Sequence, residues 1–230
     1  MMTTKQTYKT GLGTSDADSI TLLGHDLATE ILGKYSFGEL SYYLITKRRP
    51  TPGQLVMFEA VLASLADHGF TPTAIAARLT YASAPDSLQG ALAAGLLGGG
   101  SRFLGVTEDC AHFLARELKE IGDAPTTQDG WDAAALNAVQ KQRDIGKFVP
   151  GLGHPVHKQG DPRTPVLIAM AREQGLFGSH LSLFEAIGRV HAQVLGKTLP
   201  LNGAGVCGAV LADAGIPMGV MRGVALLARC

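Results

Sequence analysis

Cysteine is scarce in this chain. Only three occur in 230 residues, Cys110, Cys207 and Cys230, and so odd and scattered a set builds neither a disulfide framework nor a metal site. They read as small buried hydrophobes. Net charge is missing as well: 20 Lys and Arg balance 20 Asp and Glu, so neither nucleic acid nor an anionic membrane is favoured as a partner. No apolar run reaches the length of a membrane span, and none follows the lysines near the N-terminus, which leads to the expectation of a cytoplasmic protein without a membrane partner. Tracts of alternating Val, Ile and Thr are absent, so strands have little support. Alanine, leucine and glycine are abundant instead. The expected fold is all-α, large enough for one big domain or two modest ones.

Taken in order, residues 1–18 lack periodicity and read as an arm or irregular lead-in. Residues 20–33, with Leu22, Leu23, Leu27 and Ile31, read as a short helix. The next spans 35–46, where Phe37, Leu40, Tyr43 and Leu44 share a face. Thr51-Pro52-Gly53-Gln54 is a helix start: the threonine caps, proline suits the first position, and glutamine completes a capping box. Leu55, Phe58, Val61 and Leu65 mark its apolar face, and Gly69 is expected to end it, leaving Asp67 and His68 in the last turn. A histidine there also simply suits the helix dipole. Thr71-Pro72 restarts a helix. Residues 86–105 hold Gly90, Gly95 and Gly98-Gly99-Gly100, small enough for close helix contacts; lacking a P-loop lysine and a preceding strand, they are no nucleotide cradle. Helices follow over 107–121, 131–142, from Thr164-Pro165 to Gly175, over 182–195 ended by Gly196, and from about 203 to Gly215. In the last segment, 218–230, Arg222 stands among apolar neighbours, either snorkelling to solvent or serving a buried carboxylate.

Reactive side chains are concentrated in residues 147–163, Lys-Phe-Val-Pro-Gly-Leu-Gly-His-Pro-Val-His-Lys-Gln-Gly-Asp-Pro-Arg. Gly151 and Gly153 permit turns closed to other residues, and Pro150, Pro155 and Pro162 stiffen them. Two histidines, a lysine, an aspartate and an arginine can bind an anion and move a proton near neutral pH. An ordinary surface loop with solvated charges has the same composition. The site reading therefore needs more than composition.

That support comes from several motifs in sequence order: Arg49-Pro50-Thr51-Pro52, Ala66-Asp67-His68-Gly69, the run from Pro150 to Lys158, Asp161-Pro162-Arg163, and residues 202–208 followed by Gly215-Ile216-Pro217. Together they resemble the citrate synthase family, and within it the short citryl-CoA lyase branch, which is similar to the C-terminal module of ATP-citrate lyase. The resemblance implies a helical homodimer with a large domain built from residues 1–105 and 200–230 and a small inserted domain, 106–199. It implies a coenzyme A thioester as substrate, a di- or tricarboxylate partner, and no permanently bound cofactor or metal. By resemblance, His154 hydrogen-bonds the oxygen at the reacting carbon, His68, Arg163 and Arg222 bind substrate carboxylates, and Pro150, Gly151, Leu152 and Gly153 hold coenzyme A, with Lys158 in support. Such chemistry requires a base for the hydroxyl proton, for which histidine is suited, stabilisation of an enolate, and neutralisation of carboxylates.

Two segments depart from the family pattern. Phe103 stands where the synthases have a histidine that polarises the thioester carbonyl, a change shared with many short lyases. Ala204 stands where the family has its proton-transferring aspartate, and Gly203 beside it departs too. The resemblance thus implies a citryl-CoA lyase type of activity, giving acetyl-CoA and oxaloacetate, or action on a related 3-hydroxy-3-carboxyacyl-CoA. A catalytically impaired member that binds a CoA ester or polycarboxylate is the alternative.

Overall fold

The computed structural model describes residues 10–230, so half of the expected lead-in, residues 1–9, lies outside the described residues. The chain forms two compact units, one ending at Thr51 and one from Pro52 to Cys230.

The first unit corrects the helix expected over 20–33. Three short strands, β1 (Gly13–Ser15), β2 (Ile20–Leu22) and β3 (His25–Asp26), pair antiparallel in chain order, with Thr14 opposite Thr21 and Leu22 opposite His25. Leu23 and Gly24 both have positive φ, the requirement of a two-residue hairpin turn that reverses the chain where a helix would continue. Asp26 then accepts from the Thr29 N–H while Glu30 accepts from the Asp26 N–H, closing a single π-helical turn over Leu27–Ile31. The next helix is as expected: α1 (Phe37–Thr46) starts on a Ser36 cap and ends on Lys47 in the left-handed region.

The second unit is helical, comprising α2 (Pro52–Leu65), α3 (Pro72–Ser83), α4 (Leu88–Leu97), α5 (Val106–Ile121), α6 (Gln128–Asp144), α7 (Arg163–Glu173), α8 (Ser179–Leu195), α9 (Gly203–Asp213) and, after a 3₁₀ turn, α10 (Met221–Arg229). Helix α9 is the axis of its core, buried at Gly203 and from Gly205 to Leu211 and touched by α2, α5, α7 and α8. Glycine makes this approach possible: a Cβ at Gly208 would lie 2.2 Å from the Thr107 carbonyl oxygen of α5. Asp213 at the far end of α9 accepts from the N–H groups of Gly178, His180 and Leu181, capping α8. Helix α2 stops at Leu65, so Asp67 and His68 lie beyond its last turn, in a bend that closes at Gly69 (φ +67). Helix α7 begins at Arg163 itself, and Thr164 spends its hydroxyl on the Leu201 carbonyl rather than on a cap.

The small residues of α4 serve packing within the chain. A Cβ at Gly95 would stand 3.1 Å from Ala77 Cβ and one at Gly98 equally close to the Thr73 methyl, so α3 and α4 form a tight hairpin that leaves Leu79, Leu88 and Leu97 exposed. Among the described residues, no helix is long and apolar enough to cross a membrane.

Candidate functional site

The glycine–histidine loop between α6 and α7 is strapped to the chain that leads into α9. Gly153 N–H donates to the Pro200 carbonyl (2.7 Å) and Asn202 N–H to the Gly151 carbonyl (2.9 Å), while the Asn202 side chain caps α9 with its oxygen and donates to the Gly153 carbonyl with its nitrogen. Gly151 is required twice over: its φ is +85, and a Cβ there would meet the Phe184 ring at 2.8 Å and Cys110 Sγ at 2.9 Å. A rigid turn results. It forms one wall of a cavity of about 710 Å³ whose lining includes His68, His154, Arg163, Ala204 and Arg229.

His154 is fixed at the mouth of this turn with its protonation pattern set by the backbone. Its Nδ1 lies 3.0 Å from the N–H groups of both Val156 and His157, which can only donate. Nδ1 is therefore the acceptor, and in the neutral ring the proton sits on Nε2. Burial lowers the imidazole pKa, with the neighbouring His157 acting in the same direction. His154 is thus a neutral hydrogen-bond donor, and the base role expected of it for the hydroxyl proton does not fit this arrangement. The His68 ring lies 5.5 Å from that of His154, centroid to centroid.

Arg163 is held by a buried partner. Its Nε and Nη2 reach the two oxygens of Asp161 at 3.0 and 2.8 Å, and Nη1 donates to the Ser64 carbonyl at 3.1 Å. Burial alone would raise the Asp161 carboxyl, but the Arg163 fork and the N–H groups of Gly203 and Arg163 together hold it well below the usual carboxylate range. A guanidinium has five N–H donors, so two remain free for a ligand. Gly203 is explained by the same contact: a Cβ there would fall 2.3 Å from Arg163 Nε.

The ligand atoms of His154, His157 and Asp161 also lie within 4.8 Å of one another. They do not fit a metal ion. Each Asp161 oxygen already accepts two hydrogen bonds, its full capacity.

Arg222 and Lys158 are placed differently from the other expected residues. Arg222, at the start of α10, sends Nη2 to Glu108 (3.4 Å) and Ser101 (3.2 Å) and packs against Gly105, outside the cavity lining. Its charge is absorbed by the first turn of α5. At the other end of the same helix, Arg229 does line the cavity, tethered through Nε to the Leu65 carbonyl, and burial lowers its pKa against the pull of Asp67. Sequence reasoning missed it. Its one signal was a second arginine seven residues on, nearly two helical turns along the same segment. Lys158 lies outside the cavity lining, in a surface groove it shares with Phe148, His154, Thr198 and Pro200. Phe103, Phe148 and Val156 give the cavity an exposed apolar rim.

Residues 12–230 match the family described as citrate synthase, C-terminal domain. The citrate synthase of Deinococcus radiodurans is 30% identical over 197 residues, covering 81% of this chain and 48% of that protein; the chain spans about half the length of this curated relative. Among solved structures, citryl-CoA lyase from Hydrogenobacter thermophilus superposes with a TM-score of 0.85 at 29% identity, covering 97% of this chain and 83% of that one. The ATP citrate lyase of Methanothrix soehngenii, solved with citrate and coenzyme A, gives 0.78 at 22% identity over 97% of this chain and 37% of that one, a likeness of fold.

Proposed function

The chain belongs to the citrate synthase family, and on that premise we propose that its cavity binds a coenzyme A thioester and a di- or tricarboxylate and makes or breaks the carbon–carbon bond between them, as in citryl-CoA cleavage to acetyl-CoA and oxaloacetate. The observation that carries this reading is convergence: His68, His154 with Arg163, and Arg229 come from three separated stretches and line one cavity.

Each has a role its geometry supports. His154 Nε2–H donates to the oxygen on the reacting carbon, a carbonyl in one direction and a hydroxyl becoming a carbonyl in the other. The two free N–H groups of Arg163, with Arg229 and His68, receive carboxylates through charge-assisted hydrogen bonds. The turn Pro150, Gly151, Leu152, Gly153 and the apolar rim suit the pantetheine arm of coenzyme A; Lys158 can reach only its outer, phosphate-bearing end. In cleavage the electron pair of the broken bond passes into the thioester enolate, the hydroxyl proton passes to water, and the enolate carbon takes a proton from water. Ala204 takes no part in that transfer. A related 3-hydroxy-3-carboxyacyl-CoA fits the same groups, and Ala204 keeps alive the second reading of a family member that binds without turnover. No permanent cofactor is needed for either.

The test is release of oxaloacetate from citryl-CoA alongside calorimetric binding of citrate and coenzyme A. Binding without oxaloacetate release would favour the second reading. Replacing Arg163 by alanine should weaken citrate or oxaloacetate binding by about 10- to 100-fold. Because this change also strands the buried Asp161, circular dichroism must accompany it, with Arg163→Lys, which keeps the charge and loses the fork, as the milder variant. Unchanged binding in both folded variants would remove Arg163 from the site.

The inserted small domain, 106–199, and the homodimer belong to the same proposal. Leu79, Leu88 and Leu97 on the α3–α4 hairpin are exposed apolar side chains that a two-fold contact would cover. Sedimentation at micromolar concentration should give a dimer. A monomer that still turns over citryl-CoA would refute the homodimer as the active form.

A further inference from the structure

Thr107 is 99% buried, yet it lines the cavity, and its hydroxyl enters no hydrogen bond with the described residues. A threonine so enclosed ordinarily spends its hydroxyl on a carbonyl of the preceding turn. Here the trace of surface it keeps opens on the cavity instead. Thr107 is also the second residue of α5, a helix of 16 residues whose cap, Gly105, offers no side chain. The first-turn N–H groups have no partner inside the helix.

Its position relative to the reacting groups can be read along α9. Arg163 packs on Gly203, and the Thr107 carbonyl packs on Gly208. Ala204 lies between them, next to Gly203 and four residues before Gly208, and so on the same face as Gly208, about 5–6 Å along it. Carboxylates gathered at Arg163 and an acyl group gathered at Thr107 would meet beside Ala204. That is the order in which a citryl thioester carries those groups.

The charge around Thr107 narrows what it can receive. Glu108 and Asp109 stand in the same helical turn, with Arg222 as their common cation. A full carboxylate placed there would meet two like charges. A neutral carbonyl oxygen, which gains negative charge only as an enolate forms, would not. Phe103, at the position of the histidine that would otherwise polarise the thioester, carries no polar atom and lines the same cavity.

We propose that Thr107 receives the thioester carbonyl oxygen, its hydroxyl donating to that oxygen. This assignment rests on the reading of the cavity as a coenzyme A thioester site. The same oxygen carries the enolate charge when the carbon–carbon bond breaks, so Thr107 acts as a catalytic residue by stabilisation and transfers no proton.

The experiment compares acetyl-CoA with S-ethyl-CoA, a thioether of nearly the same shape without the carbonyl oxygen, by calorimetry on the full chain. The parent should bind the thioester about 3- to 10-fold more tightly, the range of one net hydrogen bond. Thr107→Val, which keeps the shape and removes the hydroxyl, should bind both compounds alike, and Thr107→Ser should restore the preference. Thr107→Ala removes the hydroxyl without adding a methyl and serves should the valine variant melt early by circular dichroism. A preference that survives in the valine or alanine variant overturns the assignment while leaving the thioester site standing, as does a parent that binds both compounds equally. A parent that binds neither overturns both.

Discussion

Replacing His154 by alanine is expected to lower citryl-CoA cleavage by about 10²- to 10³-fold, the effect of removing one donor aimed at an oxygen that changes charge during reaction. Binding of citrate should fall much less, because the carboxylates are held elsewhere. The pH profile separates this role from that of a base. A histidine base with an ordinary pKa would lose activity as the pH drops through about 6.5. In the structure the Val156 and His157 N–H groups occupy Nδ1, so a second ring proton would face two donors, and burial followed by His157 lowers the pKa. The neutral donor form therefore persists below the ordinary range, and the acid limb of the rate should lie below about pH 6.5, with a flat profile above it. His154→Gln, which retains an N–H donor on a side chain of similar reach, should recover part of the loss. A limb centred at the ordinary histidine value that disappears with His154 would restore it as the base.

The helices were legible where one chain segment decided its own fate. In α8, Leu183, Ile187 and Val190 recur at helical spacing, all are buried, and the helix stops at Gly196 in the left-handed region. Residues 20–33 were not legible, because strands of two or three residues carry no period. Only the paired positive φ of Leu23 and Gly24 distinguishes their leucines from those of a helix. The site divides along the same line. His154 and its glycines could be read because the loop is contiguous, and its motif carries the family resemblance. Arg222 and Arg229 could not be told apart, because what separates them is distant in sequence: Glu108, 114 residues from Arg222, and the Leu65 carbonyl, 164 residues from Arg229. Gly203 stands in the sequence only as a departure from the family pattern beside Ala204. The Arg163 guanidinium lying where its Cβ would be gives it a cause.

Ala204→Asp should raise the rate of citryl-CoA cleavage by about 10²-fold if the cavity has kept its substrate and lost only the proton-transfer group. The full value of a positioned acid or base reaches 10⁴-fold, and three features of the site hold the expected gain below that. Residue 204 is the second residue of α9, where the helix N-terminus lowers the pKa of a carboxylate, and Arg163, packed on the adjacent Gly203, lowers it further. An aspartate there would be fully ionised near neutral pH, a competent base for the acyl carbon and a poor acid for the enolate. The surrounding shell, finally, was not shaped to orient it. Because no variant can shift the equilibrium of the reaction, condensation of acetyl-CoA with oxaloacetate must gain in the same ratio, an internal check on the assay. The gain also requires the rest of the site, so Ala204→Asp combined with His154→Ala should fall back to background. A folded Ala204→Asp variant that releases oxaloacetate no faster than the parent would mean that position 204 no longer faces the reacting carbon, and that the cavity serves another acyl group or binding alone.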